Sequence, residues 1–435
     1  MELVPGFVVL VQGLSATMTA PTFDSFVTVV TGWVFAGRRT VTRMILAAGA
    51  TADKHYSSYH RLFSAARWSL DAAGLAVFAL VEPWLGDDVL LGVDDTLCRK
   101  RGRKMFGVGM HHDPLLSSRA RSVVNWGHSW VVLGVIVELP FRPGHYFFLP
   151  ILFRLYLNKS KAAKHRRVYR TRPELAVEML AVLCGQRKNR RFHAVADSAY
   201  GGQSVLCQLP ANCDLTSRLL PKARLYEAAP VRRPGAKGRP RKRGGRLPSP
   251  EDMLDGRCRR LSLDIYGRTD EARVTDCQAR VYAAPDTPLR IVAVEPTSGG
   301  RPRQAFYSTR VDASAEQVIA WYAMRWSVEV AFHDGKQHLG FQEPQGWSRR
   351  AVERTAPVAM LLYALVVLWF AQEGHRQYQP LDCPWYLSKT EPSFADMLAT
   401  LRRRSVRQRI NSLSLAGPGS RKIKQLLENT VALAV

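Results

Sequence analysis

The sequence predicts an α/β fold: a mixed sheet flanked by helices, with a helical region before it. Three observations predict it. Apolar runs of strand length recur between Val89 and Gly202, an amphipathic helical stretch interrupts them, and residues 257–310 are β-rich. The 435 residues suffice for a large core and two or three domains. With 46% hydrophobic residues the chain is globular rather than disordered. A formal charge of +26 points to a polyanionic partner, most simply nucleic acid. A membrane surface also attracts cations, so charge alone leaves that open.

Residues 1 to about 85 carry apolar side chains at helical intervals, dotted with Arg38, Arg39, Arg43, Lys54, His60, Arg61 and Arg67. A DNA-binding domain and an ordinary helical cap fit this pattern equally. VLLGVDD is a buried strand ending in two acids, and residues 130–139 and 146–157 are two more strands split by the turn FRPGH. Residues 172–186 read as a helix, and 191–202 as a strand ending at Asp197 before a Gly-Gly turn. Residues 221–250, rich in Lys, Arg, Pro and Gly, read as a flexible basic loop. A helix around Glu329 follows the β-rich stretch, with Ser314 as its N-cap. The uncharged run Ala356 to Gln372 is short for a membrane span and reads as a buried helix packed on a sheet. The tail 393–425 is basic and partly helical. Seven scattered cysteines lack zinc spacing and fit reduced thiols in a cytosolic protein. The N-terminus has no basic n-region, so no signal peptide is expected.

The segment Gln317 to Gly340 spaces Tyr322, Arg325, Glu329 and Lys336 as Y-x2-R-x3-E-x6-K. On one continuous helix these four share an arc of about 60°. One aromatic, two cations and one carboxylate suit a phosphodiester with a metal ion, although a solvated charged face has the same look. Asp94 and Asp197 each end an apolar strand, where a buried acid is costly unless paired or metal-bound. Three such acids suit two-metal phosphoryl transfer.

These segments resemble the motifs of bacterial insertion-sequence transposases of the DDE type, in the broad insertion-sequence-four group. Val93-Asp94-Asp95-Thr96 looks like the first motif, D-x-T. Ala196 to Gly201 looks like the second, D-x-x-Y/F. The Tyr322–Lys336 spacing matches the third at every position. The resemblance covers roughly residues 85 to 375 and implies an RNase H-like catalytic fold. It divides the chain into a helical N-terminal domain (1–85), the first part of a catalytic domain (86–220), a basic loop with a β-rich insertion (221–311), the second part of the catalytic domain (312–375) and a basic helical C-terminal region (376–435). It further implies that Asp94, Asp197 and Glu329 bind two Mg²⁺, with Mn²⁺ as a substitute. Tyr322 and Arg325 would hold a flipped base and its phosphate, and Lys336 would contact end DNA. Asp95 adjoins Asp94, and strand alternation allows only one of them to reach the metals. The implied activity is cut-and-paste transposition by strand cleavage at transposon ends and strand transfer to target DNA. The partners would be double-stranded DNA, as terminal inverted repeats and target, and a second copy in a homodimer. The setting would be a bacterial cytoplasm, at the nucleoid, with no membrane role. A nuclease that cuts without joining, and a DNA-binding protein without catalysis, are the rival readings.

Lys237, Arg239, Arg241, Lys242 and Arg243 lie in the basic loop. Their core resembles an AT-hook, while a nonspecific phosphate-binding loop gives the same composition. The cations at 99–104 and 402–409 suit phosphate contact or a solvated surface. His333 is either a proton-transfer helper or a surface residue. Trp126, Trp130, Trp321, Trp326 and Trp347 read mostly as core, with one available to stack on a displaced base.

Overall fold

The computed structural model describes residues 2–412, apart from 119, 233, 235–236, 266–267, 298–301, 381–388 and 390. The chain begins with five helices: α1 (Pro5–Gln12), α2 (Ala20–Phe35), α3 (Val41–Ala48), α4 (Tyr56–Ser64) and α5 (Leu70–Val81). Pro5 and Pro21 stand in first turns, where the missing N–H leaves no hydrogen bond unmade. Thr40 and Ser69 cap α3 and α5.

The sheet follows: β1 (Asp88–Arg99), β2 (Gly109–His112), β3 (Val124–Glu138) and β4 (Tyr146–Tyr156). After α6 (Lys159–Lys164) and α7 (Arg172–Gln186) come β5 (Arg191–Ala196), α8 (Gln203–Leu206) and β6 (Cys213–Leu219). Helix α7 starts at a capping box, in which Thr171 and Glu174 satisfy each other's backbone N–H groups. In space the strands run β4-β3-β1-β5-β6. Strand β3 is antiparallel to β1 and β4, and β5 is parallel to β1 and β6. This large mixed sheet flanked by helices is consistent with the RNase H-like arrangement. Strand β1 runs five residues beyond Asp94, which is therefore mid-strand rather than at the strand's end.

The basic stretch is more ordered than its composition suggests. Strands β7 (Leu225–Tyr226) and β8 (Arg246–Leu247) pair with each other, and β7 pairs with β10 (Arg268–Val281). The basic segment thus leaves and re-enters the sheet as a hairpin. After α9 (Pro250–Met253), strands β9 (Arg259–Ile265), β10, β11 (Ala284–Pro296) and β12 (Gln304–Ser308) extend the same sheet, because β12 pairs antiparallel with β6. They share a small core with α10 (Ala315–Met324).

Helices α11 (Trp326–His338), α12 (Arg349–Gln372) and α13 (Phe394–Ser412) complete the chain. Helix α12 begins earlier than the apolar run suggests. Among the described residues it alone is long and apolar enough to cross a membrane, yet 94% of its apolar window is buried inside the protein. The larger core is continuous from the N-terminal helices through the sheet to α12 and α13. Polar ties cross it: Arg354 donates to the carbonyls of Phe63, Ala66 and Trp68, and Trp33 Nε1 donates to Leu339 O at 2.9 Å. The described cysteines are unbridged, as expected of reduced thiols. Cys383 and the tail beyond residue 412 lie outside the described residues.

Two glycines set how closely α11 approaches its neighbours. A Cβ at Gly92 of β1 would come within 2.8 Å of Val328 Cγ2, and one at Gly335 would collide with Met360 of α12. Gly92→Ala should therefore lower stability by about 1–3 kcal/mol through overpacking. The measurement is the urea midpoint. A midpoint equal to that of the unsubstituted protein would show that α11 does not press on β1.

Candidate active site

The site starts from the register of two strands. The parallel pairing of β1 with β5 ends at Val93 opposite Ala196. Asp94 and Asp197 are the next residues in each strand, so they emerge side by side where the pairing stops. Neighbouring strands lie about 4.8 Å apart, which brings the two carboxylates into electrostatic contact. The Asp94 carboxyl is pushed up to about 7, first by burial and then by Asp197, with Arg325 acting in the opposite direction. Asp197 also caps the following 3-10 turn, accepting from Ala199 N at 2.9 Å.

Glu329 reaches this place through Arg325. Arg325 donates to Asp94 Oδ2 at 3.0 Å and to Glu329 Oε1 at 2.8 Å. Burial opposes its charge, but Asp94, Tyr322 and Glu329 outweigh burial and raise its pKa. Its Nε is buried and has no partner among the described residues. The Tyr-Arg-Glu-Lys segment is not one helix but two, joined at Arg325. There the hydrogen bonds tighten to the i→i+3 pattern, Arg325 N to Tyr322 O and Val328 N to Arg325 O. The four side chains nevertheless stay on the sheet side. Lys336 Nζ donates to Thr96 Oγ1 at 2.6 Å. Tyr322 packs on Phe306, with ring centroids 4.6 Å apart, and borders a cavity of about 180 Å³ lined by Leu263, Ala272, Val294 and Ile319. The Arg325 guanidinium lies 5.5 Å from the Tyr322 ring.

Asp95 points away from this cluster, as strand alternation requires. It accepts from Tyr200 Oη at 2.8 Å and pairs with Arg172 Nε at 3.1 Å, with Ser129 nearby. Burial raises its pKa while Arg172 and Tyr200 pull it down. Tyr200 lies three residues after Asp197, so this bond ties the turn holding Asp197 to β1. Sequence reasoning quoted Tyr200 as a motif residue but gave it no role. Arg172 and Ser129 carry no local signal, because only packing brings them to Asp95.

The cationic segments are split by the fold. Lys237, Arg239, Arg241 and Lys242 are exposed on the hairpin. Arg243 is not free: its guanidinium lies 4.9 Å from the ring of Tyr226 and 4.0 Å from that of Tyr282. Arg402 is no phosphate ligand either. It donates to Val34 O, and burial lowers its pKa to about 10. His333 is 70% exposed beside Asp334. Trp130 is core, but Trp326 and Trp347 are exposed, contrary to the sequence expectation.

Among the described residues no group of three His, Cys, Asp or Glu converges closely enough to hold a metal ion. Arg325 stands between Asp94 and Glu329. Carboxylate oxygens are the donor type that a hard divalent cation takes, and Asp94 and Asp197 repel each other here.

A mixed sheet with two acids emerging at the end of a parallel pairing is an arrangement that suits phosphoryl transfer. The chain belongs to the DDE superfamily endonucleases: the family's sequence model matches residues 14–275, more than half of the chain. Members of this superfamily act on DNA and typically use divalent metal ions. The matched stretch contains Asp94 and Asp197 and ends before Glu329. No curated protein matches the chain.

Tyr200→Phe removes the tie to Asp95 and should cost about 1.5–3 kcal/mol, the range for a hydrogen bond to a charged group. Chemical denaturation reads this directly. An unchanged unfolding free energy would mean that the bond contributes nothing to holding the turn.

Proposed function

We propose that this protein is a DNA transposase of the insertion-sequence-four-like group, acting by cut-and-paste, with Asp94, Asp197 and Glu329 as its catalytic carboxylates. The observation that carries the reading is the emergence of Asp94 and Asp197 together at the end of the β1–β5 pairing, with Glu329 joined to Asp94 through Arg325. Asp94 rather than Asp95 is the ligand in this reading, because Asp95 is spent on Tyr200 and Arg172.

The three carboxylates would hold two divalent ions, Mg²⁺ or in substitution Mn²⁺, which supply positive charge to the attacking and leaving oxygens. The Arg325 guanidinium supplies a positive charge between Asp94 and Glu329. Lys336 keeps ammonium protons beyond the one given to Thr96 and would contact end DNA. Tyr322 and the cavity beside it would receive a flipped base, with the Tyr322 ring packed against it. Water would hydrolyse one strand at each transposon end. The freed 3′-hydroxyl would then attack the opposite strand, closing a hairpin at the transposon end and releasing the flanking strand's 3′-oxygen. A second water would open the hairpin, and the regenerated 3′-hydroxyl would attack a target phosphodiester, whose own 3′-oxygen leaves. Two copies would pair the two ends, on nucleoid DNA in a bacterial cytoplasm. Lys237, Arg239, Arg241 and Lys242, carried on the hairpin rooted by Arg243, would hold duplex phosphates.

The test is Mg²⁺-dependent cleavage and strand transfer on DNA carrying the element's own ends. Glu329→Gln should bind DNA normally but lose cleavage and joining by a factor on the order of 10²–10³, the scale of removing one charge-stabilising group. Equal activity of the two proteins would place Glu329 on a structural charged face. Cleavage without joining of pre-cut ends would favour the nuclease. Replacing Arg239, Arg241 and Lys242 by Ala should weaken binding to A·T-rich and G·C-rich duplexes alike. A loss confined to A·T-rich DNA would instead mean minor-groove reading.

A further inference from the structure

Past Arg99, the strand that carries Asp94 runs into residues 100–108, and past α11 the chain runs into residues 339–348. The two loops are fastened to each other. Lys100 Nζ donates to Gln342 O at 2.6 Å and Pro344 O at 2.7 Å, and Phe106 N donates to Trp347 O at 3.1 Å. Trp126 Nε1 on β3 fixes the first loop through Gly102 O at 3.0 Å. Burial lowers the Lys100 pKa, and its ammonium is spent inside this joint.

On this base Trp347 is 66% exposed, even with the Lys104 ammonium 5.4 Å from its ring centroid. Large aromatic side chains bury most of their surface when packing alone decides. Arg101, Arg103 and Lys104 are exposed and form no ion pair among the described residues. Their neighbours differ: Arg99 is paired with Asp113, and Arg349 with Glu353. No acid occurs from Thr96 to His112, so nothing local offsets these three charges. An exposed aromatic face among cations without ion pairs is the arrangement that binds unpaired nucleotides: the ring stacks on a base and the cations meet the phosphates. The platform continues from the site through β1, since Thr96, which holds Lys336, is three residues before Arg99.

We propose that Trp347, with Arg101, Arg103 and Lys104, forms a second DNA contact separate from Tyr322 and the hairpin, at which an unpaired base stacks on Trp347. It rests on the reading that this protein processes DNA ends, because an unpaired base arises where a duplex is opened or cut. A ring in this position has no unstacked base to meet on intact duplex.

The test is fluorescence anisotropy with a labelled blunt duplex and with the same duplex carrying a short unpaired 3′ tail, across a salt series. Trp347→Ala should weaken binding of the tailed DNA roughly tenfold, the scale of one lost base stack, and leave the blunt duplex unchanged. Trp347→Phe should recover most of that loss. Joint replacement of Arg101, Arg103 and Lys104 by Ala should weaken both DNAs and reduce the slope of log affinity against log salt by about two to three. If both variants bind both DNAs as the unsubstituted protein does, the platform is overturned while the transposase reading stands. An effect of the triple variant without one at Trp347 overturns the stacking. An unsubstituted protein that binds neither DNA overturns both proposals.

Discussion

The short parallel pairing of β1 with β5 is the constraint on which the site depends. It joins segments about a hundred residues apart, and it stops after Val93 and Ala196. Where it stops, each strand releases an acid on the same edge. Strand β1 continues because β3 still pairs with it as far as Arg99. Asp94 is therefore held by a strand on one side and open to the site on the other. A one-residue slip of β1 would bring Asp95 to the place of Asp94 and break its bonds to Tyr200 and Arg172.

The second constraint is electrostatic. Burying the Asp94 carboxylate beside the charge of Asp197 is unfavourable, and the rise of the Asp94 pKa to about 7 expresses that cost. Arg325 offsets part of it by reaching both Asp94 and Glu329 from the junction of α10 and α11. A continuous helix would carry Arg325 and Glu329 one turn apart on a single stripe. The tighter turn at Arg325 keeps them hydrogen-bonded while letting α10 follow the added strands and α11 follow β1. Gly92 then decides how near α11 comes. Packing, backbone geometry and charge thus meet at one place, and a change in any of them moves the others.

The positive charge of the chain is not one uniform field. Much of it is consumed within the structure: Arg354 and Arg402 satisfy backbone carbonyls, Lys100 joins two loops, and Arg243 is held between tyrosines. The exposed cations include those of the hairpin and of the loop after β1, along with others on the N-terminal helices and α13. The net charge of +26 names the kind of partner, but the pairing pattern selects which cations meet it.

The sequence by itself determined many of the elements and the spacing of the candidate site residues. The period of apolar residues marked β1, β3, β4, α7 and the buried α12, and the spacing of Tyr322, Arg325, Glu329 and Lys336 marked the stripe. These features are local, so strand and helix periodicity suffices to read them. Tertiary structure alone decided where β1 ends, that the stripe is divided between two helices at Arg325, that Asp95 is tied to Tyr200 and Arg172, and that Trp347 stays outside the core. It also decided which cations are free. Each of these depends on residues far apart in the chain meeting across the sheet. Periodicity shows which face of an element is apolar, but not which partner that face or its polar neighbours will meet.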